Sequence, residues 1–198
     1  MKVVYISTID GTSGSGGGVV SNANHDAIKK CKRISSFKAI KIDSYLTKNN
    51  FIYNRIMTFI YSMLNYATGL HPKAVKAIIS SKDVKECDYI WIDGSLLGKL
   101  NKLIKEIYPE KIIITFFHNV EYDFWSDLGS KRGFLYKHIV SSCCNNEQLA
   151  ISNSDYIFTL SNSDSERLRV LYGRHSDLVL PVTFRSRINV KQTIVNKN

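Results

Sequence analysis

The chain of 198 residues has the composition of a globular protein, with 44% hydrophobic and 22% charged residues. Its 27 Lys and Arg against 17 Asp and Glu give a net charge of +10, which favours a polyanionic partner such as nucleic acid, an anionic membrane or a phosphorylated substrate, or simply keeps the surface soluble. No apolar run approaches the roughly 20 residues that cross a bilayer, and a strand begins at once without a signal peptide, so we expect a cytoplasmic protein.

The first eighteen residues predict a strand, a glycine-rich turn and the start of a helix. Lys2–Ile6 is a short apolar run with β-branched residues, and a helix follows over residues 18–33. The turn between them contains Gly11, Gly14, Gly16, Gly17 and Gly18. Glycines let a ligand approach the backbone, and the first N–H groups of a helix attract anionic or polyhydroxyl ligands. The alternative is a flexible surface loop.

The remaining elements alternate along the chain. Short apolar runs predict strands at residues 37–42, 87–92, 111–117, 155–160 and 178–180. Helical spacing predicts helices at residues 45–67, 73–79, 96–107, 133–151 and 163–173. The last helix has a predicted capping box at Ser163–Glu166 and a glycine cap at Gly173. Alternation of this kind predicts an α/β, doubly wound, Rossmann-like parallel sheet of about six strands in the order 3-2-1-4-5-6.

The predicted helix at residues 45–67 is unusually rich in aromatic residues. Most of its apolar face is expected to pack in the core. The alternative is that one edge, with Tyr and Phe side chains, Lys48 and Arg55, touches a membrane interface.

The predicted strand order makes strands one and four neighbours at the topological switch point, where doubly wound sheets bind ligands. The glycine loop should therefore face the residues that follow strand four, His118, Asn119 and Glu121. His118 can donate or accept a hydrogen bond, and Glu121 can accept one from a hydroxyl. The alternative for His118 is an imidazole hydrogen-bonded to backbone.

Other kinds of site are disfavoured. Asp43 follows strand two, where a ribose-binding acid belongs, but the G-x-G-x-x-G pattern fails because Val19 occupies the third glycine position. No Gly-Lys-Ser/Thr follows the loop, and no nucleic-acid-binding signature accompanies the basic residues, so no nucleic-acid partner is expected. The cysteines show no metal-binding spacing and are expected to be reduced, at Cys31, Cys87, Cys143 and Cys144.

Four motifs together resemble a known family. They are the strand–glycine-loop–helix opening, residues 117–121 (FHNVE), residues 153–173, and Leu180-Pro181-Val182. As an ensemble they resemble the N-terminal domain of GT-B glycosyltransferases, particularly retaining family 4, over residues 1–182. The resemblance implies one Rossmann-like half of a GT-B fold, with Gly16, Gly17 and Gly18 near the donor phosphates. It implies that His118 is a catalytic residue near the donor sugar, and we assign Asn119 and Glu121 to the same donor- and acceptor-binding site.

The resemblance also implies a reaction. A sugar would pass from a nucleotide-diphospho-sugar to a sugar or lipid-linked acceptor, or to a cell-surface polysaccharide, without a metal or another cofactor. Many members of the family are peripheral membrane proteins, so attachment to the inner face of the membrane would explain both the +10 charge and the aromatic helix.

The sequence also departs from the family pattern. Thr183 replaces a common glycine, and the acidic nucleotide-sugar motif of the C-terminal domain is missing. Residues 183–198 are therefore expected to be a linker or tail towards a missing domain, and the isolated chain is expected to be inactive. The alternatives are a non-catalytic module that docks to a membrane or a partner enzyme, and another nucleotide-sugar enzyme such as an epimerase.

Overall fold

The computed structural model describes residues 1–8, 16–42, 50–67, 69–130 and 133–181, with the side chains of residues 130 and 133–135 left out. The strands are β1 (Lys2–Ser7), β2 (Ser36–Lys41), β3 (Tyr89–Asp93), β4 (Ile112–Phe117), β5 (Tyr156–Thr159) and β6 (Leu178–Val179). The helices are α1 (Gly16–Lys29), α2 (Phe51–Met63), α3 (Pro72–Ser80), α4 (Lys82–Glu86), α5 (Gly98–Ile107), α6 (Glu121–Ser130), α7 (Gly133–Ser152) and α8 (Asn162–Tyr172), and a 3₁₀ turn (Ser95–Leu97) precedes α5. Gly11, Gly14, Asp43, Lys48 and the predicted tail at 183–198 lie outside the described residues.

The six strands form one parallel sheet in the order β2-β1-β3-β4-β5-β6. This confirms the α/β, doubly wound, Rossmann-like class. The predicted order 3-2-1-4-5-6 is wrong, because β3 pairs directly with β1, with Val3 opposite Tyr89, rather than lying beyond β2. The connection that contains α2, α3 and α4 leads from β2 past β1 to β3. The topological switch point is therefore between β1 and β3.

The core is divided between the two faces of the sheet, because successive side chains along a strand point to opposite faces. On one face, Ile6 and Ile92 pack with buried residues of α3, α4 and α5. On the other face, Trp91 and Phe116 pack with Val20 of α1. Helices therefore cover both faces, and α1 shares a face with the odd-numbered residues of β3.

The aromatic helix α2 is not part of the core. Ser62 is its buried residue, and the helix packs on α7 rather than on the sheet. The prediction that most of its apolar face packs in the core is therefore wrong. The physical reason is that α3, α4 and α5 already fill the face of the sheet to which the α2 connection leads.

Two helix starts also differ from the sequence prediction. The N-cap of α8 is Ser161, whose hydroxyl accepts from the N–H of Asp164, so the predicted capping box at Ser163–Glu166 is wrong by two residues. The predicted glycine cap is confirmed, since Gly173 ends α8 in the left-handed region with φ of 74°. Helix α6, which begins at Glu121, was not predicted.

Candidate functional site

A buried carboxylate, that of Asp93, lies at the carboxyl end of β3. Asp93 is fully buried, with 0% of its surface exposed. Ser7, at the end of β1, donates its hydroxyl to Oδ2 of Asp93 at 3.3 Å, and the hydroxyl of Ser21 in α1 donates to the same oxygen. The Nε2 atom of His118, just after β4, lies 3.3 Å from Oδ1. One side chain thus joins β1, α1 and the loop after β4.

The surroundings of Asp93 favour its charged form. Burial opposes ionisation, but the nearby His118 ring and the hydrogen bond from Ser21 outweigh it, so the pKa of Asp93 is held below its ordinary value. The Tyr5 hydroxyl also lies 3.1 Å from the carbonyl oxygen of Ser21 and donates to it. Burial, and secondarily the Asp93 charge, raise the pKa of Tyr5, which therefore stays a donor. The site holds a fixed negative charge surrounded by donors.

Gly16, Gly17 and Gly18, which were predicted to lie near a ligand, are the first three residues of α1. Gly16 is exposed and Gly18 is buried. A Cβ atom on Gly16 would meet no described atom within 4 Å, so packing does not require a glycine there. The first N–H groups of a helix have no partner within the helix, and its dipole favours negative charge. Since Ser21 lies one turn further and contacts Asp93, the start of α1 and Asp93 belong to the same site.

The His118 side chain is largely buried. Its side chain is 11% exposed, and its ring packs edge-on against Phe116 with centroids 5.1 Å apart. The Nε2 atom is at ion-pair distance from Asp93 but outside hydrogen-bond geometry, and Nδ1 has no partner among the described residues. Among the described residues the His118 ring has no backbone partner, so the alternative of an imidazole hydrogen-bonded to backbone is wrong. A buried polar atom without a partner is where a ligand or water completes the bonding.

Glu121 lies in the first turn of α6, next to His118. Its carboxylate accepts a hydrogen bond from Nε1 of Trp125 at 3.0 Å. Burial raises the pKa of Glu121, and the Trp125 hydrogen bond and the nearby His118 ring oppose that rise. Glu121 is thus a partly buried carboxyl group that can exchange a proton closer to neutral pH than an exposed glutamate can.

The start of α6 is fixed by Glu147, a fully buried residue of α7. Its carboxylate accepts from the backbone N–H groups of Glu121 at 2.8 Å and Tyr122 at 3.1 Å. The hydroxyls of Ser95 and Tyr172 donate to the same carboxylate at 3.0 and 2.7 Å. Burial raises the pKa of Glu147, and these four donors oppose that rise. Glu147 therefore fixes the turn between His118 and α6.

The structure brings together most of the predicted site residues. His118, Asn119 and Glu121 follow β4 at the carboxyl edge, where α1 also starts, and Asn119 is half-buried in the turn before α6. Residues 9–15 of the predicted glycine loop lie outside the described residues.

Three further site residues, Ser7, Ser21 and Asp93, were missed. The predicted order placed strand three at the edge of the sheet, far from strand four, and so gave Asp93 no role. The sequence contained one signal for it, because Asp93 is an acid at the end of an apolar strand and directly precedes a glycine. In the structure this glycine, Gly94, has a φ of 129°.

The clefts of the structure differ in their relation to this site. A cleft of about 160 Å³ opens beside Ser7 and Ser21, and it is lined also by Tyr5, His25 and Lys41. A larger groove of about 700 Å³ lies away from it, between α2 and α7. The small cleft, rather than the large groove, is the one that shares side chains with the Asp93 cluster.

The described residues contain no group of three or more His, Cys, Asp or Glu side chains arranged to hold a metal ion. Within the same residues, no helix has both the length and the apolar character needed to cross a bilayer.

Comparison with known proteins identifies no family. The chain matches no protein-family model and has no significant match among curated proteins. The geometry of the site is therefore what supports a functional proposal.

Proposed function

We propose that this chain is the acceptor-side, N-terminal half of a GT-B glycosyltransferase, which moves a sugar from a nucleotide-diphospho-sugar to an acceptor. The observation that carries the proposal is the buried Asp93 carboxylate, which contacts both Ser21 near the glycine start of α1 and His118 after β4. A nucleotide-sugar has two parts that such an arrangement suits. Its diphosphate suits a helix N-terminus, and its hydroxyl-rich ring suits an imidazole beside carboxyl groups.

In this proposal each group has one task. The first N–H groups of α1, at Gly16 and Gly17, stabilise the negative charge that builds up on the departing diphosphate, as preorganised donors do in many enzymes. His118 hydrogen-bonds a hydroxyl of the sugar, and Asp93 orients its ring by holding charge beside Nε2. Glu121, with its raised pKa, exchanges a proton with an acceptor hydroxyl. No cofactor is needed for these roles.

The proposed location is the cytoplasm, at the inner face of the membrane. Its support is that all four cysteines are free, at Cys31, Cys87, Cys143 and Cys144, as is typical of a reducing compartment. The proposed acceptors are lipid-linked sugars or a cell-surface polysaccharide.

The test is sugar transfer by a protein in which this chain is joined to a C-terminal nucleotide-sugar domain. Release of nucleoside diphosphate is measured with a panel of nucleotide-diphospho-sugars and membrane extracts as acceptor. His118→Ala should lower turnover about 100-fold or more, because the ring contacts the reacting sugar. His175→Ala is the matched control, since His175 is an exposed histidine beside Glu166 of α8, and it should leave turnover unchanged. Equal turnover by His118→Ala and the parent would refute the site assignment.

A further inference from the structure

The outer face of α2 is apolar and remains exposed in the structure of a single copy. Ser62 is the buried residue of the helix, and α2 packs on α7, where the rings of Phe59 and His138 meet edge-on with centroids 5.5 Å apart. The large side chains left exposed, which we name the α2 surface, are Phe51, Ile52, Tyr53, Ile56, Ile60, Met63 and Leu64. A monomeric protein rarely exposes a contiguous apolar patch of this kind unless a partner covers it.

Four of these side chains form a ridge along the helix. They recur every four residues, so they lie on one row of the helix surface, at Ile52, Ile56, Ile60 and Leu64. Each is between 42% and 72% exposed. The row extends over about 18 Å, from the first turn of α2 to its C-cap. The ridge therefore consists of branched aliphatic side chains with no charge among them.

A groove lies directly beside the ridge. It has a volume of about 700 Å³ and is lined by Phe51, Ile56 and Phe59 from α2 and by Tyr136 and Ile139 from α7. Because Ile56 belongs to both the ridge and the groove, the two are adjacent. A convex apolar row next to a concave apolar one is self-complementary, since two copies related by a twofold axis can each place the ridge in the groove of the other.

The exposed area of the α2 surface is close to what a stable dimer needs. Its residues are between 42% and 72% exposed, and a large apolar side chain has about 200 Å² of surface, so together they expose roughly 750 Å². In a standard protein–protein interface each partner buries about 800 Å². One copy of the α2 surface therefore supplies about one side of such an interface.

Charge favours an antiparallel arrangement of the two helices. Arg55 is the one charged residue in the sequence of α2, and its guanidinium lies 5.4 Å from the centre of the Phe51 ring in the same copy. In an antiparallel pair, Arg55 faces the second half of the other α2, where residues 57–63 carry no charge. A parallel pair would instead place the two Arg55 side chains side by side, where they repel each other.

We propose that the α2 surface is the interface of a symmetric dimer, in which a second copy of this chain places its ridge in the groove between α2 and α7. An anionic bilayer fits this surface less well, because interfacial helices are rich in cations on their polar face and α2 contains only Arg55. Dimerisation would also stabilise α7, the helix that carries Glu147 and thereby caps α6. The inference goes beyond sugar transfer and depends on none of the catalytic residues.

The experiment is sedimentation equilibrium of the full chain over a micromolar concentration series, at low and high salt. We expect a dimer that becomes tighter as salt rises, because the net charge of +10 on each copy opposes association and salt screens it. Ile56→Ser should raise the dissociation constant about tenfold or more, since an apolar side chain is lost from the interface in both copies. Ile107→Ser is the matched control, because Ile107 at the end of α5 is 54% exposed and Ile56 is 52% exposed, and it should dimerise like the parent.

Four results would overturn the proposal. Three of them are a parent that stays monomeric throughout the series, Ile56→Ser that dimerises like the parent, and an equal loss of dimerisation in Ile107→Ser. The fourth is a monomeric parent that co-sediments with anionic phospholipid vesicles and loses this binding in Ile56→Ser, which would assign the surface to a bilayer. Circular dichroism checks that each variant is folded. None of these results depends on a nucleotide-sugar, so failure here is distinguishable from failure of the proposed reaction.

Discussion

The Nε2 atom of His118 lies 3.3 Å from Oδ1 of Asp93, although Asp93 ends β3 and His118 follows β4. The other oxygen of the same carboxylate accepts hydrogen bonds from Ser7 and Ser21. Asp93 is therefore the residue through which the start of α1 and the loop after β4 are held in one geometry. Removing its charge should affect both the stability and the site.

Asp93→Asn should lower the free energy of unfolding at neutral pH by about 2 kcal/mol, because the buried hydrogen bonds to a charged acceptor are lost. Urea denaturation followed by circular dichroism measures this. Asp83→Asn, which changes an exposed carboxylate in α4, is the control and should have little effect. Equal stability of the two variants would mean that Asp93 does not organise the site.

The same pair of proteins should show a defined pH dependence. The pKa of Asp93 in the folded state lies below its value of about 3.9 in the unfolded chain, so its ionisation stabilises the fold above about pH 4. This contribution is lost as pH falls through the folded-state pKa. The stability difference between the parent and Asp93→Asn should therefore be constant near neutral pH and shrink below about pH 4. A difference that grows on acidification would contradict the account.

Gly98→Ala should strongly destabilise the protein. A Cβ on Gly98 would lie 1.8 Å from the carbonyl oxygen of Asn146 and 2.6 Å from the amide nitrogen of Ala150, so α5 and α7 would have to separate. We expect a loss of about 2 kcal/mol or more in urea denaturation. Gly16→Ala is the matched control, because a Cβ there has open space and alanine favours the helix. If both variants were equally stable, the close approach of α5 to α7 would be wrong.

Glu147→Gln should destabilise α6 and the loop before it. All four described partners of the carboxylate are donors, and the amide group of glutamine would bring a further donor against one of them. The expected loss in free energy of unfolding is about 2 kcal/mol. Hydrogen exchange should localise it to the first amides of α6. The neighbouring exposed substitution Gln148→Ala should leave those amides protected, and unchanged exchange in Glu147→Gln would argue against this cap.

The four cysteines should react in an order set by burial. Cys31 is exposed and should be alkylated first by iodoacetamide in the native protein. Burial raises the pKa of the Cys87 and Cys143 thiols, so both should react only after unfolding. Peptide mass spectrometry resolves the sites, and a denatured sample in which all four react is the control. Rapid native labelling of Cys143 would show that α7 packs differently.

The fold could be predicted to the level of its class but not of its strand order. The continuous apolar strand ending at Phe117 and the regular alternation of elements are local patterns, and these were sufficient for a parallel sheet. Whether β3 pairs with β1 or lies beyond β2 depends on which face the long β2–β3 connection crosses. No local pattern in the sequence indicates which of these two strand orders forms.

For the same reason, only part of the candidate site could be predicted from the sequence. His118 and the glycines stand out as polar or small residues after a strand, whereas Ser21 and Asp93 become meaningful only once β3 lies in the middle of the sheet. Helix α6 was missed because its cap, Glu147, comes from α7 and leaves no signature beside Glu121. The packing of α2 was mispredicted because periodicity shows that a face is apolar, not what covers it.

The central claim is that the start of α1 and His118 form one binding site around Asp93. Its most direct test is nuclear magnetic resonance of the isotope-labelled chain, titrated with millimolar nucleoside diphosphates and nucleotide-diphospho-sugars. The account predicts that one ligand class shifts the amide signals of Gly16 and Gly17 and the imidazole signals of His118 together, and that Asp93→Asn weakens both responses. Signals that shift for only one of the two segments, or for neither with any ligand, would contradict it.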